Sequence, residues 1–236
     1  EYDGTGYHGW QKQINAITVQ DKIEEALTRL TKQKTVITGA SRTDRGVHAL
    51  GQVANFFTES AIPPEKYPYA LNSILPEDIT VKRSELVDAD FHSRFSAKGK
   101  KYIYSIYNAT FPSALLRNRA YHVYYPLDIK KMQAAARHIV GTHDFSAFMA
   151  SGSDVVSTVR TITSISFEKK GNNINMEIQG DGFLYNMVRI IAGTLVEVGW
   201  GAREPDSLPQ IITDKDRRKA GKTAPAQGLY LAEVFY

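Results

Sequence analysis

The chain contains no cysteine, and that one absence removes disulfide scaffolds, thiolate nucleophiles and cysteine-ligated zinc from consideration. It has no run of about 18 apolar residues of the kind that crosses a bilayer, and no charged-then-apolar leader resembling a secretion signal. A cytoplasmic location is therefore expected. Its six histidines, His8, His48, His92, His122, His138 and His143, show no i, i+4 pairing and no accompanying acid cluster, so no metal is expected. No low-complexity linker divides the 236 residues, which suffice for two ordinary domains or one large one, and 42% apolar content marks a globular chain. The net charge of +4 is modest and favours a polyanionic partner only where the cations gather on one face.

What is present is concentrated in Ser41-Arg42-Thr43-Asp44-Arg45-Gly46-Val47-His48-Ala49. Val36 to Ala40 before it and Val53 to Phe57 after it are rich in the β-branched and aromatic residues that strands favour, which predicts Asp44 on a loop held by a sheet. A carboxylate set between guanidiniums stays ionised, because positive charge and donated hydrogen bonds favour the charged form. Such an aspartate suits nucleophilic attack rather than proton donation. An isolated R-x-D is equally the sequence of an ion pair that stabilises a turn.

Elsewhere, Thr18 and Asp21 predict the start of a helix over Val19 to Thr31, with Val19, Ile23, Ala26, Leu27 and Leu30 on one face. Pro63-Pro64 opens a second helix through about Leu75, and Ile79 to Val87 is expected as a strand. The resulting order, strand, helix, strand, strand, helix, strand, is the split βαβ pattern of ferredoxin-like and RNA-recognition folds. The second part repeats the theme: a strand at Lys100 to Asn108, a helix at Asp128 to Val140, a hairpin from Thr158 to Phe167 and Asn173 to Gln179 turning at Gly171-Asn172, a helix from Phe183 to Val198, and a closing strand from Leu229 to Tyr236. The expectation is an α+β fold of two ferredoxin/RRM-like halves, residues 1–96 carrying the Asp44 loop and residues 97–236, with a largely antiparallel sheet, helices on one side and a ligand cleft between the halves.

Gly4-Thr5-Gly6-Tyr7-His8-Gly9 matches the dinucleotide string G-x-G-x-x-G, yet that motif needs a helix at its third glycine, whereas here the helix waits for Thr18. In Lys100 to Asn108, Tyr102, Tyr104 and Ile106 alternate with Ile103, Ser105 and Tyr107, two apolar faces that predict a strand buried on both sides. On the Phe183 helix the apolar residues Phe183, Leu184, Met187, Val188, Ile191, Leu195 and Val198 share one side, with Arg189 almost opposite among Tyr185, Ala192, Gly193 and Val196. The second side is expected to pack as well, and an arginine there wants an acid. Phe91-His92-Ser93-Arg94-Phe95 has the aromatic and cationic composition of an RNA contact, or of a hydrophobic plug at a junction. Lys215-Asp216-Arg217-Arg218-Lys219 with Lys222 is either a solvated surface or a track for a phosphate backbone.

The string R-T-D-x-G-V-H-A resembles the signature of the tRNA pseudouridine synthases that modify uridines 38, 39 and 40 in the anticodon stem-loop. So do E-Y-D-G-T-G-Y-H-G-W-Q at the start, K-x-Y-x-Y at Lys100, the F-H-x-R segment at Phe91, G-F-L-Y-N-M-V-R at Gly182 and T-A-P-A-Q-G-L-Y-L at Thr223. These strings follow the family's order and span essentially the whole chain. Ser41 stands where glycine usually precedes the arginine and Arg45 where alanine often follows the aspartate, differences that bear on the turn and not on the chemistry.

The resemblance implies a cofactor-independent isomerase acting on tRNA as a homodimer, with Asp44 as nucleophile and Arg42 stabilising the flipped-out base. It further implies Arg189 paired with Asp44, Tyr102 stacked on the target base, Phe91, His92, Ser93, Arg94 and Phe95 on the RNA, and Leu229 at the border of the base pocket. A short strand ahead of Glu1 is also implied. Attack at C1′ of the ribose and attack at C6 of the base both remain open. Two other classes compete: a non-catalytic RNA-binding module, which has no need of Asp44, and a glycoside hydrolase or nucleosidase, which ordinarily needs a second carboxyl group.

Overall fold

The computed structural model describes residues 1–152 and 155–236. They form two compact units, residues 1–98 with 231–236, and residues 99–230. The fold is α+β with a largely antiparallel sheet.

In the first unit, Thr18 lies in extended conformation and its hydroxyl oxygen accepts from the Asp21 amide at 3.2 Å, so helix α1 (Val19–Thr31) begins where the capping residues place it. Val19, Ala26 and Leu27 are buried along one face, and Lys32 at φ +61° ends the helix. The strands flanking the Asp44 loop are short: β1 (Thr38–Gly39) pairs antiparallel with β3 (Ala54–Asn55), and β2 (His48–Ala49) closes the loop. The second expected helix is shorter than its sequence pattern, a 3₁₀ turn at Pro64–Lys66 followed by α2 (Tyr67–Asn72).

The strand expected over Ile79 to Val87 is absent. Tyr2 forms one antiparallel bridge to Ile79, and the Asn72 carboxamide takes up both backbone groups of Val81, at 2.8 and 2.9 Å, where a ladder would continue. Beyond that point Lys82, Arg83 and Glu85 are exposed and Leu86 is 85% exposed, so the segment has no apolar face to bury. The split βαβ order is accordingly incomplete in this unit.

The second unit holds β4 (Gly99–Asn108), β5 (Tyr121–Val123), α3 (Ile129–Arg137), β6 (Gly141–Asp144), β7 (Val159–Lys170), β8 (Asn173–Gly180), α4 (Met187–Gly199) and α5 (Leu208–Asp214). The last strand, β9 (Leu229–Phe235), starts here and continues into the first unit. The sheet order is β4-β8-β7-β6, all antiparallel, with β5 added parallel to β4. The predicted β7–β8 hairpin is present, and Gly171 at φ +59° supplies the left-handed backbone its turn requires. On β4, Tyr102, Tyr104 and Ile106 are buried, whereas Ile103, Ser105 and Tyr107 are only half-buried. One face of this strand packs on the core, which corrects the expectation of two buried faces. Helix α4 is buried almost all round, as expected of its second side, but it starts four residues later than predicted because Asn186 sits at φ +60°.

Candidate active site

The Asp44 loop is held by backbone-to-backbone packing against the opening segment. Burial alternates along it: Ser41 and Thr43 are buried, Arg42 is exposed and Asp44 half-buried. The inward pair is anchored. Gln52 donates to the Ser41 carbonyl at 2.7 Å, and the Thr43 hydroxyl shares a buried 2.7 Å hydrogen bond with the Tyr2 hydroxyl. The outward pair is thereby presented, and Arg42 makes no side-chain hydrogen bond or ion pair with any described residue.

Two glycines of the opening segment, Gly4 and Gly9, acquire a purpose from the same packing. Gly9 lies at φ +88°, and a Cβ on it would stand 2.3 Å from the Thr43 carbonyl oxygen; on Gly4 it would stand 1.9 Å from that of Val47. Trp10 N–H donates to the Thr43 carbonyl at 3.1 Å and Gly46 N–H to that of Tyr7 at 3.3 Å. Val47 N–H closes a turn onto the Asp44 carbonyl at 3.1 Å, with Gly46 at φ +77° in its third position. Behind the turn, the buried His48 accepts the Gly4 N–H at Nδ1, 3.1 Å, beside the Asp3 carboxylate. Gly4 and Gly9 thus serve close backbone approach and not a dinucleotide, in keeping with a helix that starts at Val19.

In the second unit, Tyr102 is 7% exposed on β4, with its ring edge-on to Phe183 at 5.1 Å. Arg189 is half-buried on the first turn of α4. Its Nε donates to the Ala224 carbonyl at 2.8 Å and its Nη1 to the Asn186 side-chain oxygen at 2.6 Å, while Ala224 N–H returns a bond to the Arg189 carbonyl at 3.0 Å. Tyr104, fully buried below, donates to the Pro225 carbonyl at 2.8 Å. Burial pushes its phenol well above the usual range, and the Arg189 charge only partly opposes this, so Tyr104 stays neutral. Leu229 is buried one residue after Gly228, where a Cβ would meet the Tyr104 ring at 2.8 Å.

The Phe91–Phe95 segment belongs to the first unit and divides in two. The Phe91 ring lies 5.0 Å from that of Tyr236, tilted by 50°, and the fully buried Ser93 donates its hydroxyl to the Thr38 carbonyl at 2.6 Å and accepts the Tyr236 hydroxyl at its own carbonyl at 2.7 Å. Arg94 and Phe95 face outward, with Phe95 75% exposed, the Arg94 guanidinium 5.5 Å from its ring and the His92 ring 4.3 Å from it. The basic run is largely occupied by its own neighbourhood: Lys215 pairs with Asp144 at 2.8 Å, Lys219 with Asp214 at 2.6 Å and Arg218 with Asp216 at 2.8 Å, and Arg217 bonds the Gly221 carbonyl at 2.9 Å and Thr223 at 3.0 Å.

A tRNA pseudouridine synthase family profile matches residues 1–96 and 135–236. The chain belongs to the tRNA pseudouridine synthase family. Among its relatives, tRNA pseudouridine synthase A of Acetivibrio thermocellus is 61% identical over 236 residues, covering 100% of this chain and 97% of its own. The proteins of the same name from Ruminiclostridium cellulolyticum and Thermoanaerobacter sp. are 56% and 54% identical, again over 100% of this chain and 97% of theirs. Synthases of this family are isomerases, so the chain is an enzyme of that class. Within it, the sequence pointed to Asp44, Arg42 and Arg189 but not to the residues that hold them. Tyr2, Thr43 and Asn186 lie inside the quoted motifs, but nothing in those strings shows which of their side chains support the loop or the arginine; the one local signal is an asparagine, tolerant of left-handed backbone, just ahead of an apolar helix.

Proposed function

We propose that the protein isomerises uridine to pseudouridine at positions 38, 39 and 40 in the anticodon stem-loop of tRNA, working without a cofactor as a cytoplasmic homodimer. The observation that carries this reading is the Asp44 loop: a half-buried carboxylate beside an exposed arginine, on a backbone clamped from beneath by Gly4, Gly9, Tyr2 and Trp10. A reacting carboxylate needs such fixed geometry, since misplacement of about 1 Å costs on the order of 100-fold in rate.

The reaction breaks the N1–C1′ bond, turns the uracil and joins C5 to C1′; the C5 proton leaves and N1 gains one, so atoms balance with no redox step. A stacked uridine must first swing out, at a cost of a few kcal/mol. Arg42 enters the vacated space and contacts the backbone, Tyr102 lies against the extruded base, and Leu229 borders it. Asp44 attacks C1′ or C6, which holds the base through a covalent bond while it turns. Arg189 pairs with Asp44 and keeps it charged and oriented. Phe91, His92, Ser93, Arg94 and Phe95 form the RNA-binding segment, in which Arg94 and Phe95 supply the exposed cation and ring and Ser93 anchors the turn from within.

Release of tritium from C5 of labelled uridine in unmodified tRNA tests the reading. Exchange with no free uracil is the isomerase result. Free uracil would mark a glycosidase, and tRNA binding with no exchange a non-catalytic module.

A further inference from the structure

We propose that Asn186 is a positioning residue whose side chain aims Arg189, an inference that rests on the reading of Arg189 as the partner of Asp44. Asn186 is the residue immediately before α4, at φ +60° and ψ +6°. At that place an asparagine ordinarily accepts an amide of the first helical turn, a cap worth about 1 kcal/mol. Here the side chain makes no capping bond. Its oxygen lies 2.6 Å from Arg189 Nη1 instead, three residues on.

The left-handed backbone is what makes that reach possible. Met187 N–H bonds the Leu184 carbonyl at 3.0 Å, so Asn186 stands in the third position of a turn where a positive φ is required and where asparagine is the side chain that best tolerates it. Glycine would satisfy the backbone equally well but offers no acceptor. The choice of asparagine over glycine is therefore explained by the guanidinium.

Asn186 and the Ala224 carbonyl together fix two of the five N–H donors of Arg189, on Nη1 and Nε, and so set the rotation of the guanidinium plane. The Ala224 side of the clamp is itself rigid. Lys222 N–H bonds Glu197 at 3.0 Å, Gly221 N–H bonds the Thr194 hydroxyl at 2.9 Å, and a Cβ on Gly193 would stand 1.8 Å from the Lys222 carbonyl. Asn186 is the half of the clamp that a single side-chain change removes.

The test is a cycle of Asn186→Gly, Arg189→Lys and the double variant, in full-length enzyme with unmodified tRNA. Asn186→Gly keeps the backbone conformation, so the melting temperature is expected to hold. Its kcat is expected to fall about 10- to 100-fold with KM for tRNA unchanged. In the Arg189→Lys background the same change is expected to have no further effect, because it acts through the guanidinium. Wild-type kcat in Asn186→Gly, or losses that simply multiply in the double variant, would overturn the inference. Asp44→Asn run alongside separates the two failures: full activity there overturns the parent reading, whereas an inactive Asp44→Asn with a fully active Asn186→Gly overturns this inference alone.

Discussion

At the scale of single residues, the placement of the loop bearing Asp44 is decided largely by buried uncharged neighbours. Thr43 and Tyr2 share a hydroxyl bond under the loop, and both side chains are buried. Thr43→Val keeps the shape and removes a buried hydrogen bond to Tyr2, so a loss of about 1 kcal/mol is expected in denaturant unfolding, together with reduced turnover. Gly9→Ala combines a left-handed backbone with a contact 2.3 Å from the Thr43 carbonyl oxygen. It is expected to cost about 2 kcal/mol or more by the same measurement, whereas Gly6→Ala, whose Cβ meets nothing within 4 Å, is expected to be far milder.

At the scale of elements, the sequence was most readable where one local rule acted alone. The Thr18 cap and 3.6-residue period located α1, and alternation with Gly171-Asn172 located the β7–β8 hairpin. It misled where a single side chain overrode the pattern: Asn186 delays α4, and the Asn72 carboxamide takes the place of a neighbouring strand at Val81. It was silent on β5, β6 and α5, which are too short for periodicity to show. Asp44 and Arg189 could be picked out because charge in an otherwise apolar or strand-flanked setting is conspicuous, and Arg42 only through the motif's resemblance to the family, since Arg45 is equally charged and equally placed; the pairing of Thr43 with Tyr2 could not, because a buried hydroxyl pair leaves no pattern.

The end of β6 gives a pH test. Burial disfavours the Asp144 carboxylate, but Lys215 at 2.8 Å and the bonds from Ser146 and Thr158 outweigh it and hold the carboxyl well below the usual range. A depressed folded-state value means stability that is complete above the unfolded value of about 3.9 and is lost as pH falls through it towards the folded value. Asp144→Asn is therefore expected to lower the urea midpoint at pH 7, with the gap to wild type closing on acidification below about pH 4.

At the scale of the whole molecule, the cations matter by placement rather than by sum. The Lys215–Lys219 run is tied to Asp144, Asp214, Asp216 and nearby carbonyls, whereas Arg42 and Arg94 are exposed beside an outward carboxylate and an outward ring respectively. Arg94→Ala is expected to weaken tRNA binding and reduce the slope of log affinity against log salt by about 1, while a run variant such as Lys219→Ala leaves that slope unchanged. Sedimentation of the free protein checks the proposed homodimer, for which a monomer at working concentration is the contrary result. The proposed chemistry depends on Asp44, and the most direct measurement is single-turnover tritium release from C5-labelled unmodified tRNA by wild type and Asp44→Asn at equal bound RNA. Release by wild type with none above background from Asp44→Asn is the expected outcome; release at a comparable rate from tRNA-bound Asp44→Asn would contradict it.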